Sequence, residues 1–253
     1  MTSREATGLF ARSHGEQAME IVTSVSDWAH ILAFGAIGWP WLLKSLSGGK
    51  LTDKRALLDR LDLPYDSLPN LGSWKADTAL LKLIVDHIER TRPKVVVELG
   101  AGASSFVTAR ALQLHGGGKL ISFDQHHDFV VATRNWLGEY GLDADMRTAE
   151  LVPAPGDWPG YWYDVDGLPD RIDMLVIDGP PWTIHPFVRG AAECLFDRIS
   201  PGGVVLLDDG ARPGERIVAA RWQRNWPDFS FRLERSGTKG TVIGERASKE
   251  MTR

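Results

Sequence analysis

The sequence predicts an α/β fold built on a doubly wound parallel sheet, and three observations carry that prediction. Short apolar, β-branched runs recur at 95–99 (VVVEL), 119–123 (KLISF), 172–177 (IDMLVI) and 203–207 (GVVLL). Amphipathic stretches separate them, so each run reads as a strand buried on both faces with helices between. Near the end, FSFRLERS and KGTVIGER flank a Gly-Thr turn with no helix between, which is the pattern of an antiparallel hairpin.

Taken in order, residues 1 to about 70 read as helical and apolar-patched, then loop-rich. WAHILAFGAIGWPWLL, residues 28–43, carries no Asp, Glu, Lys or Arg between Asp27 and Lys44. A bilayer-spanning helix needs about 20 apolar residues, and this run is shorter, holds His30 and is interrupted by Pro40. A helix packed on the main domain is the leading expectation, with membrane association or a homo-oligomer contact through 28–43 left open. Trp28, Trp39 and Trp41 would then be available to close a pocket as a lid. LDLPYDSLPNLGSW is punctuated by Pro64, Pro69 and Gly72 and marks a junction. It divides the chain into an N-terminal helical extension or lid (1–73), a main domain (74–246) and a polar tail (247–253). From Lys75, KADTALLKLIVDHIERTRP has apolar residues at helical spacing and stops at Pro93, so a helix leads into the first strand. DMRTAELV, residues 145–152, is a weaker strand candidate, and PAPGDWPGYWYDVDGLP, residues 153–169, is a long connection of the functional kind.

Composition excludes some classes. The 253 residues are 43% hydrophobic and 25% charged, the proportions of an ordinary globular chain. The formal net charge is -4, with no Lys/Arg run to track a phosphate backbone, so nucleic acid is not an expected partner. Cys194, the single cysteine, has no disulfide or metal-site partner and reads as a buried thiol in a reducing compartment. With no signal-like N-terminus, the expected location is the cytoplasm.

VVVELGAGASS, residues 95–105, holds the first chemistry. Ligands of an open parallel sheet sit beyond the carboxyl ends of its strands, and Gly100 and Gly102 fall at such an end. A dinucleotide loop wants a third glycine where this chain has Ser105. It also disfavours an acid at Glu98, which would face a pyrophosphate with like charge. Glu98 suits a cationic ammonium instead, and Asp124, ending the second strand, suits ribose hydroxyls. A ligand with both an amino-acid ammonium and a ribose is S-adenosylmethionine.

From Trp74 to about Glu245 the chain resembles the class I S-adenosylmethionine-dependent methyltransferases. The likeness is greatest to small bacterial members with an E-x-G-x-G-x-S first motif, here Glu98, Gly100, Gly102 and Ser104, and with later strands ending in DGPP and LDD. The resemblance implies a Rossmann-like seven-stranded sheet in order 3-2-1-4-5-7-6 with the last strand antiparallel, and cofactor over the first two strand ends. It implies Glu98 at the methionine amino group, Gly100, Gly102 and Ser104 along the cofactor, Asp124 on the ribose, and Ala149 and Glu150 near the adenine.

Methyl transfer is an in-line displacement, so acceptor positioning and removal of a hydroxyl proton are what an enzyme must supply. Asp178, Asp208 and Asp209 follow neighbouring strands and are expected to converge on one hard cation such as Mg²⁺. The resemblance adds that metal-dependent catechol and sugar O-methyltransferases place acids at these strand ends. In an extended strand residues 208 and 209 point to opposite faces, so shared binding requires that the chain has turned there. The alternative reading puts Asp178 on the cofactor side and leaves the second aspartate to cap the following helix. Pro181, where catechol enzymes carry a lysine base, argues against catechol chemistry. His185 is a candidate general base, His126 and His127 are expected beside the adenosine, and Lys239 reads as a solvated turn residue. Trp158, Trp162, Trp182, Tyr161 and Tyr163 are candidates for an apolar acceptor pocket, while Trp136, Trp222 and Trp226 read as packing. The expected function is methyl transfer to a small-molecule acceptor, with oxygen favoured. The alternatives are a non-catalytic nucleoside or S-adenosylmethionine-binding module and an NAD-dependent oxidoreductase.

Overall fold

The structure is a computed structural model that describes residues 25–248; residues 1–24 and 249–253, parts of the expected extension and tail, lie outside the described residues. Two helices, α1 (Val25–Ser45) and α2 (Leu51–Arg60), precede α3 (Thr78–Thr91). The αβ alternation then runs β1 (Val95–Leu99), α4 (Ala103–His115), β2 (Lys119–Asp124), α5 (His127–Glu139) and β3 (Asp145–Thr148). A ribbon of β4 (Leu151–Pro153) and β5 (Tyr161–Tyr163) leads to β6 (Ile172–Ile177) and a 3₁₀ stretch at Val188–Arg198. The chain closes with β7 (Ile199–Leu207), α6 (Pro213–Asn225), β8 (Phe229–Glu234) and β9 (Thr241–Arg246).

The main sheet has seven strands in spatial order β3-β2-β1-β6-β7-β9-β8, which is the expected order. All pairs from β3 to β7 are parallel, and β9 runs antiparallel to both neighbours. Side chains alternate between two cores, as a strand buried on both faces requires. Val96, Met174, Val176, Val204 and Leu206 pack with α3 and α4, whereas Val97, Leu99, Leu175, Ile177, Val205 and Leu207 pack with Trp162, Phe196 and Trp222. Leu57 and Leu58 of α2, and Leu61 directly after it, belong to the first core. At about 0.025 kcal/mol per Å² of buried apolar area, these layers dominate the stability.

Three details differ from the sequence reading. The strand expected at 145–152 is two elements, because the Ala149 amide turns back to donate to the Asp124 carbonyl at 2.9 Å and Leu151–Pro153 then pairs with Tyr161–Tyr163. Cys194 is exposed rather than buried, since the 3₁₀ stretch turns that position outward. Trp158 and Trp162 are buried in the second core and do not line the main cleft.

No described helix is long and apolar enough to cross a membrane. One face of α1 docks on the protein: Gly35 lies against the Trp182 ring, Gly38 is buried, and Phe34 meets Phe187 edge-on at 4.9 Å. Small residues at 35 and 38 permit that close approach. Trp39 on α1 is mostly exposed, and no residue of α1 lines the main cleft.

Candidate active site

A cleft of about 840 Å³, mouth included, opens beyond the carboxyl ends of β1, β2, β6 and β7. Its floor is made by the loops that leave these strands, and its outer wall by residues 69–76. Lys54 holds that wall by donating to the carbonyls of Leu68 at 2.8 Å and Pro69 at 3.0 Å.

On the β1–β2 side, Gly100 (φ +96°) and Gly102 (φ +148°) carry torsions that favour glycine. At Gly100 a Cβ would sit 2.6 Å from the Gly179 nitrogen, so only glycine lets the β1 and β6 loops meet there. Ser105, which stands where a dinucleotide loop wants glycine, accepts from the Gly102 amide at 3.0 Å and donates to Glu98. Ser122 donates to the same Glu98 oxygen at 2.6 Å, and Oε1 of Glu98 is buried with no partner. Burial pushes the Glu98 carboxyl above its usual range, against the pull of its serine partners. Glu98 does not itself line the cleft. Asp124 does, and it organises the floor by accepting from the Ala101 amide at 3.2 Å and the His126 amide at 2.9 Å. Burial raises its carboxyl to about 7.

On the β6–β7 side, β7 ends at Leu207 and Asp209 has φ +58°, so the chain has indeed turned between the two aspartates. Carboxylate oxygens of Asp178, Asp208 and Asp209 lie within 4.8 Å of one another. Protein cations face them at once. Lys239 Nζ is 2.9 Å from Asp208 Oδ2 and 3.5 Å from Asp209 Oδ1. Arg189 approaches Asp209 Oδ2 at 3.1 Å and donates to the Asp178 carbonyl at 2.6 Å, and Arg212 reaches Asp209 Oδ1 at 2.9 Å. Burial opposes the charge of Asp209, yet Arg212, Lys239 and Arg189 hold its carboxyl below the usual range. Burial and Asp208 push Asp178 well above it.

Residues 97–210 match the family model described as a methyltransferase domain. Over that stretch the chain is similar to methyltransferase domains. Solved structures agree on the fold. The SAH-bound Podospora anserina methyltransferase PaMTH1 is 12% identical at TM-score 0.54, over 79% of this chain and 90% of that one. The Bacillus cereus O-methyltransferase in complex with SAH is 14% identical at TM-score 0.53, over 85% and 99%. The Streptomyces achromogenes O-methyltransferase TomG, in complex with SAM, is 18% identical at TM-score 0.50, over 78% and 89%. No curated protein matches the chain.

The cleft unites Gly100, Gly102, Asp124, Asp178 and Asp209. Ser104 is buried in the first turn of α4, beside Glu98. Ala149 is joined to Asp124 through its amide, and Glu150 is exposed; neither lines the cleft. His126 and His127 begin α5, where His127 pairs with Thr148 at 3.2 Å. Asp208 is fully buried and does not reach the cleft wall. Tyr163 and Trp182 are divided between cavities: Tyr163 lines the main cleft, and Trp182 lines a second space of about 290 Å³ beneath α1.

His185 is not brought to the cleft. It is buried against α1, with its ring 5.2 Å from that of His30 and 5.1 Å from that of Phe187, and Nδ1 accepts from the Phe187 amide at 3.1 Å. Burial lowers its pKa to about 4, so the native ring is neutral where an unfolded one takes a proton. Stability from this residue is complete above about pH 6.5 and is lost as pH falls toward 4. Wild-type protein is expected to lose up to about 3 kcal/mol relative to His185→Gln across that window in urea unfolding. Parallel pH profiles for the two proteins would contradict that environment for the ring.

Sequence reading missed the cations. Lys239 is buried, not a solvated turn residue, because its turn folds back onto the β7 loop. Arg189, Arg212 and Lys75, which also line the cleft, carried no recognisable motif.

Proposed function

We propose that this protein transfers the methyl group of S-adenosylmethionine to an oxygen of a small-molecule acceptor. The observation that carries the reading is one cleft with two different ends: a glycine loop and Asp124 on the β1–β2 side, and buried charged groups on the β6–β7 side. The residues present fit the cofactor. Gly102 and Phe129 both line the cleft, and a Cβ on Gly102 would come to 3.7 Å from the Phe129 ring. The unpartnered Glu98 Oε1 behind the loop adds a negative pole toward which an ammonium is drawn, directly or through water. Glu98, Gly100, Gly102 and Ser104 would hold the amino-acid end and Asp124 the ribose, with Ala149 and Glu150 toward the adenine. When bound, the sulfonium supplies an electrophilic methyl group.

The chain's own work is at the acceptor. Asp178 lines the cleft, and its raised proton affinity suits a group that takes a proton from a hydroxyl as the oxygen attacks. Arg189 fixes the backbone on which Asp178 sits by donating to its carbonyl and to that of Pro180. His185 has no part in this proposal because it faces α1, and neither does Mg²⁺. Trp74 and Pro181 on the cleft wall limit the acceptor to a small molecule and exclude water around the reacting atoms. Oxygen is favoured over nitrogen because an amine needs no comparable base. The O-methyltransferases among the structural neighbours support the same choice.

The test is a transfer assay with methyl-labelled cofactor against a panel of small phenols, sugars and amines. Label on a hydroxyl acceptor is the expected result. Cofactor binding with no transfer to any acceptor favours the non-catalytic module, and transfer confined to amines contradicts the oxygen reading.

A further inference from the structure

We infer that the Lys239 ammonium is the resident cation of the Asp178, Asp208 and Asp209 group and, on the methyltransferase reading proposed above, that transfer proceeds without a divalent metal. The three carboxylates are close enough to hold an ion, but the position is filled. Nζ of Lys239 stands 2.9 Å from Asp208 and 3.5 Å from Asp209, and its side chain is 1% exposed. Although burial disfavours its charge, Asp208 and Asp209 hold the ammonium above the usual lysine range.

Charge balance gives the same answer. Asp178, Asp208, Asp209 and the buried Glu215 face three protein cations, Lys239, Arg189 and Arg212, so the protein itself supplies most of the balancing charge. Adding a divalent ion would leave uncompensated positive charge in a buried place, where unpaired charge is strongly disfavoured. Mg²⁺ also keeps several waters and needs near-octahedral oxygen ligands. Asp208 is fully buried and reaches no open volume in which such a hydrated ion would fit.

The fold delivers Lys239 to this position by dedicated contacts. Asp77 caps α3 by accepting from the Leu80 amide at 2.9 Å. Its other oxygen accepts from the amides of Thr238 at 2.7 Å and Lys239 at 3.2 Å. From the opposite side, the Gly210 and Ala211 amides donate to the carbonyls of Gly240 and Lys239 at 2.8 and 3.1 Å. The β8–β9 turn is thus clamped between α3 and the β7 loop, with the Lys239 side chain directed at the carboxylates. A solvated turn would need none of these bonds.

Titration of the full chain with Mn²⁺, followed by electron paramagnetic resonance of the free ion, tests the assignment without any activity readout. Wild-type protein is expected to leave the Mn²⁺ signal unchanged to millimolar concentration. Lys239→Met, which keeps the apolar stem, is expected to gain one site at least about tenfold tighter than any wild-type binding, since loss of the ammonium frees Asp208 Oδ2 beside an Oδ1 that already has no hydrogen-bond partner. Asp208→Asn in that background should remove the gained site. One tight Mn²⁺ per wild-type chain overturns the inference, as does a folded Lys239→Met protein with no gain. Should that variant fail to fold, Lys239→Gln repeats the comparison, and the wild-type titration stands alone. Absence of S-adenosylhomocysteine binding would remove the cofactor reading and leave the cation assignment intact.

Discussion

Replacing Asp124 with alanine is expected to weaken S-adenosylhomocysteine binding by about a hundredfold or more, as measured by calorimetry. Hydrogen bonds to a charged acceptor contribute about 1.5–3 kcal/mol each, and about 1.4 kcal/mol is a factor of ten in affinity. Asp124 also holds the Ala101 and His126 amides, so alanine loosens the floor as well as removing the acceptor. Asp124→Asn separates the two effects by keeping one acceptor oxygen and losing the charge. The pH dependence makes the test specific. In the free protein burial lifts this carboxyl to about 7, whereas hydroxyl donors from a ribose favour its ionised form. The complex therefore holds fewer protons than the free protein below that pH, and binding releases one. Affinity should rise by up to about tenfold per pH unit below 7 and level off above it. Asp124→Asn should show no such slope. A flat wild-type profile would mean that Asp124 does not meet the ligand.

Asp178→Asn is the second large effect, and it should fall on turnover. A positioned base contributes about 10²–10⁴-fold to a rate, so kcat is expected to drop within that range while S-adenosylhomocysteine affinity changes little. The amide keeps the shape and the backbone carbonyl that Arg189 grips at 2.6 Å, so loss of folding is not the expected route. If cofactor affinity falls further than kcat, Asp178 belongs to the cofactor end of the cleft rather than to the acceptor.

The sheet was legible because buried strands announce themselves locally. Val95–Leu99 and Ile172–Ile177 begin and end where the apolar runs do, and the hairpin was readable from two runs with no helix between. The ribbon of Leu151–Pro153 with Tyr161–Tyr163 was not, since its pairing spans a Pro/Gly-rich loop whose strands are only three residues long. The start of β7 lay outside the apolar run at 203–207: Ile199, Ser200, Pro201 and Gly202 also belong to the strand, whose register against β6 shifts there.

The candidate site divided along the same line. Gly100, Gly102 and Asp124 lie at strand ends, a position that the order of runs along the chain already defines, and they meet in the cleft. The charge of Lys239 is satisfied by Asp208, 31 residues away, and its turn is held by Asp77, more than 160 residues away. No local pattern encodes either contact, so a buried lysine looked like an ordinary polar turn. His185 failed as a base for a related reason. Its neighbours, His30 and Phe187, come from α1 and from the loop that α1 covers, and only the docked helix shows which way the ring faces.

Calorimetric titration of the protein with S-adenosylhomocysteine, with NAD as the control ligand, tests the central claim most directly. The account predicts a single site of micromolar affinity for the thioether and none for NAD, unchanged by added Mg²⁺. Binding of NAD in preference to the thioether, or of neither ligand by folded protein, would contradict it.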